Sequence, residues 1–136
     1  MKNRTIGDMT EILKEYITNM DEILLAFIFG SSVSERLTIQ SDVDVAVLFD
    51  KMPTFSDVVT LRNTTSVATD RDVDIVVLNN SSPIIRMQVL KNGRLIKGRD
   101  SAAYNNFFVK TVKEYDDLKR IRKEAEENIL KGRIYA

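Results

Sequence analysis

Two Asp-Val-Asp motifs, at residues 42–44 and 72–74, each open a stretch of sequence that alternates like a β-strand. Aspartates two residues apart in a strand project from the same face of the sheet. A helix predicted over about 56–68 separates the two strands, and such a crossover favours parallel neighbours. We therefore expect the carboxylates of both motifs to meet at one edge of the sheet.

Carboxylates crowded at one edge repel one another unless a counter-charge is present. Mg²⁺ meets this need, because it prefers oxygen ligands and binds through a few carboxylates together with substrate phosphates. Two such ions, roughly 3.5–4 Å apart, can hold the attacking and leaving oxygens of a phosphoryl displacement. Gly30-Ser31 follows the apolar stretch 23–29 and has the character of a phosphate-binding turn. Each motif alone is commonly a solvated strand end or a plain turn, so the prediction rests on their combination.

The composition excludes several other kinds of site. The chain has 136 residues with no Cys and no His, so a Ser-His-Asp triad, a cysteine nucleophile and a Cys or His zinc site are ruled out. Lys plus Arg and Asp plus Glu both number 20, and this balance argues against a surface devoted to nucleic acid or membranes. The apolar run 23–29 is too short to span a bilayer. We expect a cytoplasmic protein with neither membrane nor direct nucleic-acid partners.

The rest of the pattern predicts the elements that position these motifs. Asp8 or Thr10 is expected to cap the first helix, while Ser82 and Pro83 predict the start of a later helix that stops before Gly93. The predicted elements are helices over about 8–20, 56–68, 83–92 and 101–130 and strands over 23–29, 42–49, 72–78 and 94–97. This order predicts an α/β (α+β) fold, a mixed β-sheet flanked by helices. We interpret residues 1–136 as one domain, with a core over about 9–100 and a C-terminal helix over about 101–131.

The spacing Gly30-Ser31, ten residues, Asp42-x-Asp44 resembles the GSx10DxD signature of the DNA polymerase β-like nucleotidyltransferase superfamily. The short chain and the order of its elements resemble the minimal nucleotidyltransferase branch, which includes MntA-type antitoxins paired with HEPN-domain ribonuclease toxins. The resemblance extends over about residues 9–100 and includes the strand that holds Asp74. It implies the polymerase β-like nucleotidyltransferase fold, with the long C-terminal helix as its least diagnostic part.

The resemblance also implies roles for individual residues. Asp42, Asp44 and Asp74 would be catalytic and would ligate Mg²⁺, two ions in all, with Asp74 or a metal-bound hydroxide taking the acceptor's proton. Asp72 is not the expected third acid; its position on the same face leaves it as a candidate substitute, but the favoured interpretation is a solvated strand end. The residues implied in nucleotide binding are Gly30, Ser31, Ser32 and Arg36. Many relatives carry Arg or Lys soon after Gly-Ser, whereas here the first basic residue after that motif is Arg36, next to Glu35.

The implied reaction is the transfer of AMP from ATP to an acceptor hydroxyl, with pyrophosphate as the leaving group. A chain of this size lacks the additional domains that polymerases and tRNA-tailing enzymes use to hold nucleic acid, which favours a protein acceptor. In the MntA-type family the acceptor is a tyrosine of the HEPN toxin, and its modification silences the ribonuclease. The implied partners are therefore ATP and a HEPN-type toxin, and a hetero-oligomer with the toxin is one expected form.

Two other functions are compatible with the same residues. A non-catalytic antitoxin would neutralise its partner by covering it, and the low basic content after Gly30-Ser31 favours this alternative. A small-molecule modifier, such as an aminoglycoside nucleotidyltransferase, ranks last because such enzymes usually need a further domain for their acceptor pocket. Catalysis requires Asp44 and Mg²⁺, whereas occlusion requires neither, so the alternatives are experimentally separable.

Overall fold

Apolar residues at alternate positions build the strands of a mixed sheet, which helices cover on both faces. The computed structural model describes residues 6–29 and 42–135. Its elements are α1 (Ile6–Thr18), β1 (Ile23–Phe29), β2 (Val43–Phe49), α2 (Phe55–Thr69), β3 (Val73–Val77), a 3₁₀ turn (Leu78–Asn80), α3 (Pro83–Asn92), β4 (Arg94–Lys97) and α4 (Ala102–Tyr135). The predicted fold class is confirmed, and the strand bounds differ from the predicted ones by one residue at most.

The strand order of the sheet is β3-β2-β1-β4. β1 runs antiparallel to both of its neighbours, β2 and β4. β2 and β3 run parallel and are joined through α2, which confirms the predicted crossover. The sheet therefore places the starts of β2 and β3 side by side with the end of β1.

The two faces of the sheet bury separate apolar clusters. The odd-numbered residues of β2, from Val43 to Phe49, pack with α1 and α2, where Met9, Leu13 and Ile17 are fully buried. On the other face Ala46 packs with residues of β1, α3 and α4, among them Leu25, Phe27, Val89 and Phe107. Each buried aliphatic side chain of this kind contributes about 1.5–3 kcal/mol relative to an exposed one, so both faces are strongly specified.

The predicted start of the first helix is wrong. α1 begins at Ile6, so Asp8 and Thr10 lie within the helix and neither is its N-cap residue. The apolar spacing explains the earlier start, because Ile6 lies three residues before Met9 and extends the same stripe. The helix also ends at Thr18, two residues earlier than predicted.

α2 is longer than predicted, and its weak helix formers are accommodated by hydrogen bonds. Thr54 caps the helix: its hydroxyl accepts from the Asp57 amide at 3.1 Å while the Asp57 carboxylate accepts from the Thr54 amide at 3.0 Å. Near the other end, the buried hydroxyls of Thr65 and Thr69 donate to carbonyls four residues earlier. Asp70, in the left-handed conformation with φ 56°, ends the helix.

The helix predicted from Ser82 and Pro83 is confirmed, because the Ser82 hydroxyl accepts from the Ile85 amide and α3 ends immediately before Gly93. After β4, Gly98 adopts a φ of +100°, which permits the turn into α4. α4 packs on α3 and β1 through its first half. Within residues 6–29 and 42–135, none of the helices has the length and apolar character that crossing a membrane requires.

Candidate active site

Parallel pairing of β2 and β3 aligns the two acidic motifs residue by residue. Asp44 is the register partner of Asp74, and Val43 is the partner of Val73. The Val43 amide donates to the Asp72 carbonyl at 2.8 Å, which fixes this register at the very start of the strands. Because neighbouring strands lie about 4.8 Å apart and aligned residues share a face, Asp44 and Asp74 project side by side. The predicted meeting of the two motifs at one edge is confirmed for this pair.

The same alternation determines which face the carboxylates occupy. Asp44 lies on the face of Ala46, which packs with α3 and α4, whereas Val43 and Val45 are fully buried against α1 and α2. On the face of Ala46, Asp44 is half-buried and Asp74 is exposed. Asp42, one residue before β2, is also exposed. We call these three residues the acidic edge.

The end of β1 reaches the acidic edge from the other side. Phe29, the last residue of β1, is the register partner of Asp44 in the antiparallel pair β1–β2. The chain therefore leaves β1 directly beside the aspartates. The predicted nucleotide-binding residues follow from this point, but they lie outside the described residues; they are Gly30, Ser31, Ser32 and Arg36.

The electrostatics of the acidic edge show that its carboxylates interact. The pKa of Asp44 is raised above its ordinary value of 3.8, first by partial burial and then by the negative charges of Asp74 and Asp42. Each cause disfavours the ionised form of Asp44. A bound cation would reverse the balance, since it would attract all three charges at once.

The donor chemistry of the acidic edge fits Mg²⁺. Carboxylate oxygens are the ligands that this ion prefers, and the negative charges of Asp74 and Asp42 both act on Asp44. Over residues 6–29 and 42–135, no three Asp or Glu side chains are arranged as a group that could hold a metal ion. The fit therefore rests on the type of donor and on the repulsion at Asp44.

Sequence reasoning missed two polar side chains that shape the far end of β2. Asn79 donates to the Phe49 carbonyl and accepts from the Phe49 amide, both at 2.9 Å. Arg86, only 8% exposed, lies between α3 and α4 and forms an ion pair with Glu114. With Leu48, these residues line a pocket of about 320 Å³ on the same face of the sheet as Asp44. The spacing of Arg86 and Val89 on one side of α3 was the available signal for a buried Arg.

The fold and the paired aspartates define the chain as a polymerase β-like nucleotidyltransferase. The family described as "Polymerase beta, Nucleotidyltransferase" matches residues 11–102, and the chain belongs to this family. The match spans all four strands and ends at the first residue of α4. Asp42, Asp44 and Asp74 all fall within it.

Within this family the chain is similar to proteins named protein adenylyltransferase MntA. It is 24% identical to the one from Aphanizomenon flos-aquae (strain 2012/KM1/D3), over 92% of this chain and 90% of the relative. It is 28% identical to the one from Shewanella oneidensis, over 88% of this chain and 86% of the relative. Both alignments extend well beyond the family match, so the similarity includes part of α4.

Solved structures give the same result. A crystal structure of a toxin–antitoxin with AMP-PNP superposes with a TM-score of 0.72 at 25% identity, over 93% of this chain and 99% of the other. A tri-AMPylated Shewanella oneidensis HEPN toxin in complex with its MNT antitoxin gives a TM-score of 0.67 at 25% identity, over 89% and 98%. The chain thus shares its fold, over about nine tenths of its length, with chains of solved toxin–antitoxin structures.

Proposed function

We propose that this chain is an Mg²⁺-dependent protein adenylyltransferase that transfers AMP from ATP to a tyrosine of a HEPN ribonuclease toxin and thereby acts as its antitoxin. The observation that carries the proposal is the in-register pair Asp44–Asp74 beside Asp42, in a chain that belongs to the nucleotidyltransferase family. The similarity to MntA adenylyltransferases supports the choice of AMP, and the complex with a tri-AMPylated toxin supports the choice of partner.

The reaction proposed is an in-line displacement at the α-phosphorus of ATP. The acceptor oxygen forms a bond to this phosphorus, the bond from the phosphorus to the β-phosphate's bridging oxygen breaks, and pyrophosphate leaves. Asp74 takes the proton of the acceptor hydroxyl, because the chain has no His to act as a base. Asp42, Asp44 and Asp74 would hold Mg²⁺. This ion would supply charge neutralisation at the phosphates and lower the pKa of the acceptor hydroxyl.

The triphosphate is assigned to the segment that follows β1. Phe29 lies beside Asp44, so this segment begins next to the acidic edge. Gly30 and Ser31 are proposed to hold the β- and γ-phosphates, with Ser32 and Arg36 as further contacts. We also propose a cytoplasmic location, which ATP as substrate and a ribonuclease as target would support.

Label transfer tests the reaction. The purified chain is incubated with Mg²⁺ and a lysate of the source cells, with ATP labelled either at the α- or at the γ-phosphate. We expect one protein of toxin size to acquire label from α-labelled ATP only, because AMP retains the α-phosphate and loses the γ-phosphate. Mass spectrometry of the band should then identify a modified tyrosine and the protein that contains it.

Two variants provide the matched comparison. Asp44→Asn keeps the size and shape of the side chain but removes its charge, and should abolish labelling. Asp72→Asn makes the same change at an exposed residue outside the acidic edge and should label normally. If the wild-type chain binds a toxin without labelling it, and Asp44→Asn binds and protects equally well, the non-catalytic antitoxin replaces the proposal. Label from γ-labelled ATP would instead indicate phosphoryl transfer.

A further inference from the structure

The pocket of about 320 Å³ near the far end of β2 lies apart from the acidic edge. Residues of β1, β2, α3 and α4 line it, and we call it the α3–α4 pocket. Leu48, one of these residues, follows Asp44 by four positions in β2, so about 13 Å separates the two at roughly 3.3 Å per residue. None of the three aspartates of the acidic edge lines the pocket. No step of the proposed reaction uses it.

The walls of the α3–α4 pocket are largely apolar. Among the described residues, the apolar ones that line it are Leu24, Leu48, Leu78, Ala103 and Phe107. Leu24 is 37% exposed although it lies in a strand, so apolar surface is open to a ligand here. Sites for small molecules usually measure about 300–1,000 Å³, and this pocket is at the lower end of that range. The walls therefore suit a small ligand with an apolar body.

The charged side chains at the α3–α4 pocket are basic. Arg86 of α3 and Lys110 of α4 line it, and no Asp or Glu is among the described residues that do so. Arg86 is only 8% exposed, whereas Lys110 is exposed. A charge attracts its counter-charge more strongly in such a buried setting than in water. The α3–α4 pocket therefore favours an anion, while the acidic edge favours a cation.

Arg86 keeps donors that no described group accepts from. A guanidinium has five N–H donors, and Glu114 accepts from one of its nitrogens, Nη2. The Nε atom is buried and has no hydrogen-bond partner in the described part of the chain. Buried donors are normally paired, because an unpaired one costs folding free energy. A carboxylate would supply the missing acceptors, since its two oxygens match the planar donors of arginine.

We propose that the α3–α4 pocket binds a small organic carboxylate with an apolar body. Arg86 and Lys110 hold the carboxylate, and the body packs against Leu24, Leu48 and Phe107. A simple inorganic anion would leave the apolar walls without contacts. An uncharged apolar molecule would leave the donors of Arg86 without an acceptor. Because the pocket lies apart from the acidic edge, the proposal is independent of the proposed function.

Three probes separate the two parts of this recognition. The isotope-labelled full chain is titrated with octanoate, octylammonium or acetate and followed by nuclear magnetic resonance. We expect octanoate to bind at one site, with the largest amide shifts in α3, the first turns of α4 and the end of β2. Octylammonium has the same body with the opposite charge, and acetate has the carboxylate without the body. Each should bind at least about tenfold more weakly than octanoate.

The same titrations can overturn the proposal. Octanoate that does not bind, or that shifts amides all along the chain, excludes a specific site. Octylammonium that binds as tightly as octanoate excludes recognition of the charge. Acetate that binds as tightly excludes a role for the apolar walls.

Two variants of α4 test the charged groups without disturbing the core. Lys110→Gln should weaken octanoate binding about threefold, because it removes an exposed charge beside the carboxylate. Lys113→Gln makes the same change at an exposed lysine of the same helix that is not among the lining residues, and should bind like the wild-type chain. Equal weakening in both variants would indicate a general effect of net charge and would overturn the role of Lys110.

Glu114 provides a test in the opposite direction. Glu114→Gln should strengthen octanoate binding, because it removes a carboxylate that competes for Arg86. A merely structural role of the ion pair predicts weaker binding instead. Arg86→Gln combined with Glu114→Gln removes both charges together, so that neither stays buried and unpaired, and should weaken binding at least about tenfold. Circular dichroism should confirm that each variant folds. A folded double variant that binds octanoate like the wild-type chain overturns the proposal.

Discussion

The two ends of the parallel pair β2–β3 are built in opposite ways. At the start of the strands, partial burial and then the negative charges of Asp74 and Asp42 raise the pKa of Asp44 and disfavour its ionised form. At the far end, Asn79 satisfies both the amide and the carbonyl of Phe49. The start of the strands thus keeps an unfavourable electrostatic interaction, whereas at the far end the backbone groups of Phe49 have hydrogen-bond partners. The difference separates a place where burial and neighbouring charges oppose the ionisation of Asp44 from a place where backbone polar groups are satisfied.

This contrast has a physical basis in a single piece of sheet. Both ends share the register that Val43 and Val73 fix by their burial, so the backbone is equally regular throughout. The two ends differ in how their polar side chains are placed. At the start of the strands three carboxylates lie close together, whereas at the far end the amide and the carbonyl of Phe49 are both paired with Asn79.

The largest expected effect follows from removing one charge at the acidic edge. Asp44→Asn should lower the adenylyltransferase rate by at least about a hundredfold, because metal-based charge stabilisation contributes several kcal/mol to the transition state. The same change should raise the Tm in Mg²⁺-free buffer. The folded state raises the pKa of Asp44, so ionisation destabilises the fold as the pH rises above 3.8, and Asn removes that penalty. Rate and Tm are measured on the same preparation.

Asp72→Asn is the control for Asp44→Asn, because it makes the same chemical change at a neighbouring aspartate. Asp72 lies just before β3 and is exposed, and its contact with β2 is made by the main-chain carbonyl rather than by its carboxylate. Both rate and Tm should stay close to those of the wild-type chain. If both variants lose the same share of the rate, Asp72 belongs to the acidic edge together with Asp42, Asp44 and Asp74.

Much of the acidic edge could be predicted because strand alternation is a local property. The sequence around 42–49 determines which side chains share a face, and the intervening helix predicts a parallel neighbour. The pairing of Asp44 with Asp74 needed one further condition, the burial of Val43 and Val73 on the opposite face, which both strands meet at the same position. The residues after β1 stay a prediction from the motif alone.

The second-largest effect is expected from Asn79→Ala at the far end of β2, and it concerns the stability of the fold rather than the reaction rate. Asn79→Ala leaves the Phe49 amide and carbonyl without their side-chain partner, and Phe49 is only 6% exposed. We expect a loss of roughly 1–2 kcal/mol in the free energy of unfolding, measured by urea denaturation. The rate per folded molecule should be unchanged. Asn80→Ala, at the exposed neighbouring position, is the control and should unfold like the wild-type chain.

The polar pairs at the far end could not be predicted because they join distant parts of the chain. Asn79 and Asn80 are both typical turn residues, and only the fold selects Asn79 to reach Phe49, 30 positions earlier. Arg86 is followed by its partner Glu114 after 28 positions, on another helix. Helix starts were predicted less accurately. Several polar residues near the start of α1 suit an N-cap, and the helix begins two residues before the first of those that were predicted.

The smallest expected effect concerns the ion pair between Arg86 and Glu114. The hydrogen bond from Arg86 lowers the pKa of Glu114 below the ordinary 4.5; burial opposes this shift, and the positive charges of Arg86 and Lys110 add to the lowering. A lowered carboxylate pKa contributes stability that is present above 4.5 and is lost as the pH falls through the folded-state pKa. Glu114→Gln should therefore lower the Tm slightly at neutral pH and have no effect in acid.

Thermal melts of the two proteins from neutral to acidic pH measure this difference, with Asp117→Asn as the control. Asp117 pairs with Arg120 on the surface of the same helix, where solvent screens the charges, so its variant should follow the wild-type curve at every pH. Glu114 differs because its partner is buried between α3 and α4. If Glu114→Gln lowers the Tm equally in acid and at neutral pH, the contribution of Glu114 to stability comes from packing and hydrogen bonding. The junction of α3 and α4 would then be held without help from charge, in contrast to the acidic edge, where charge acts on Asp44.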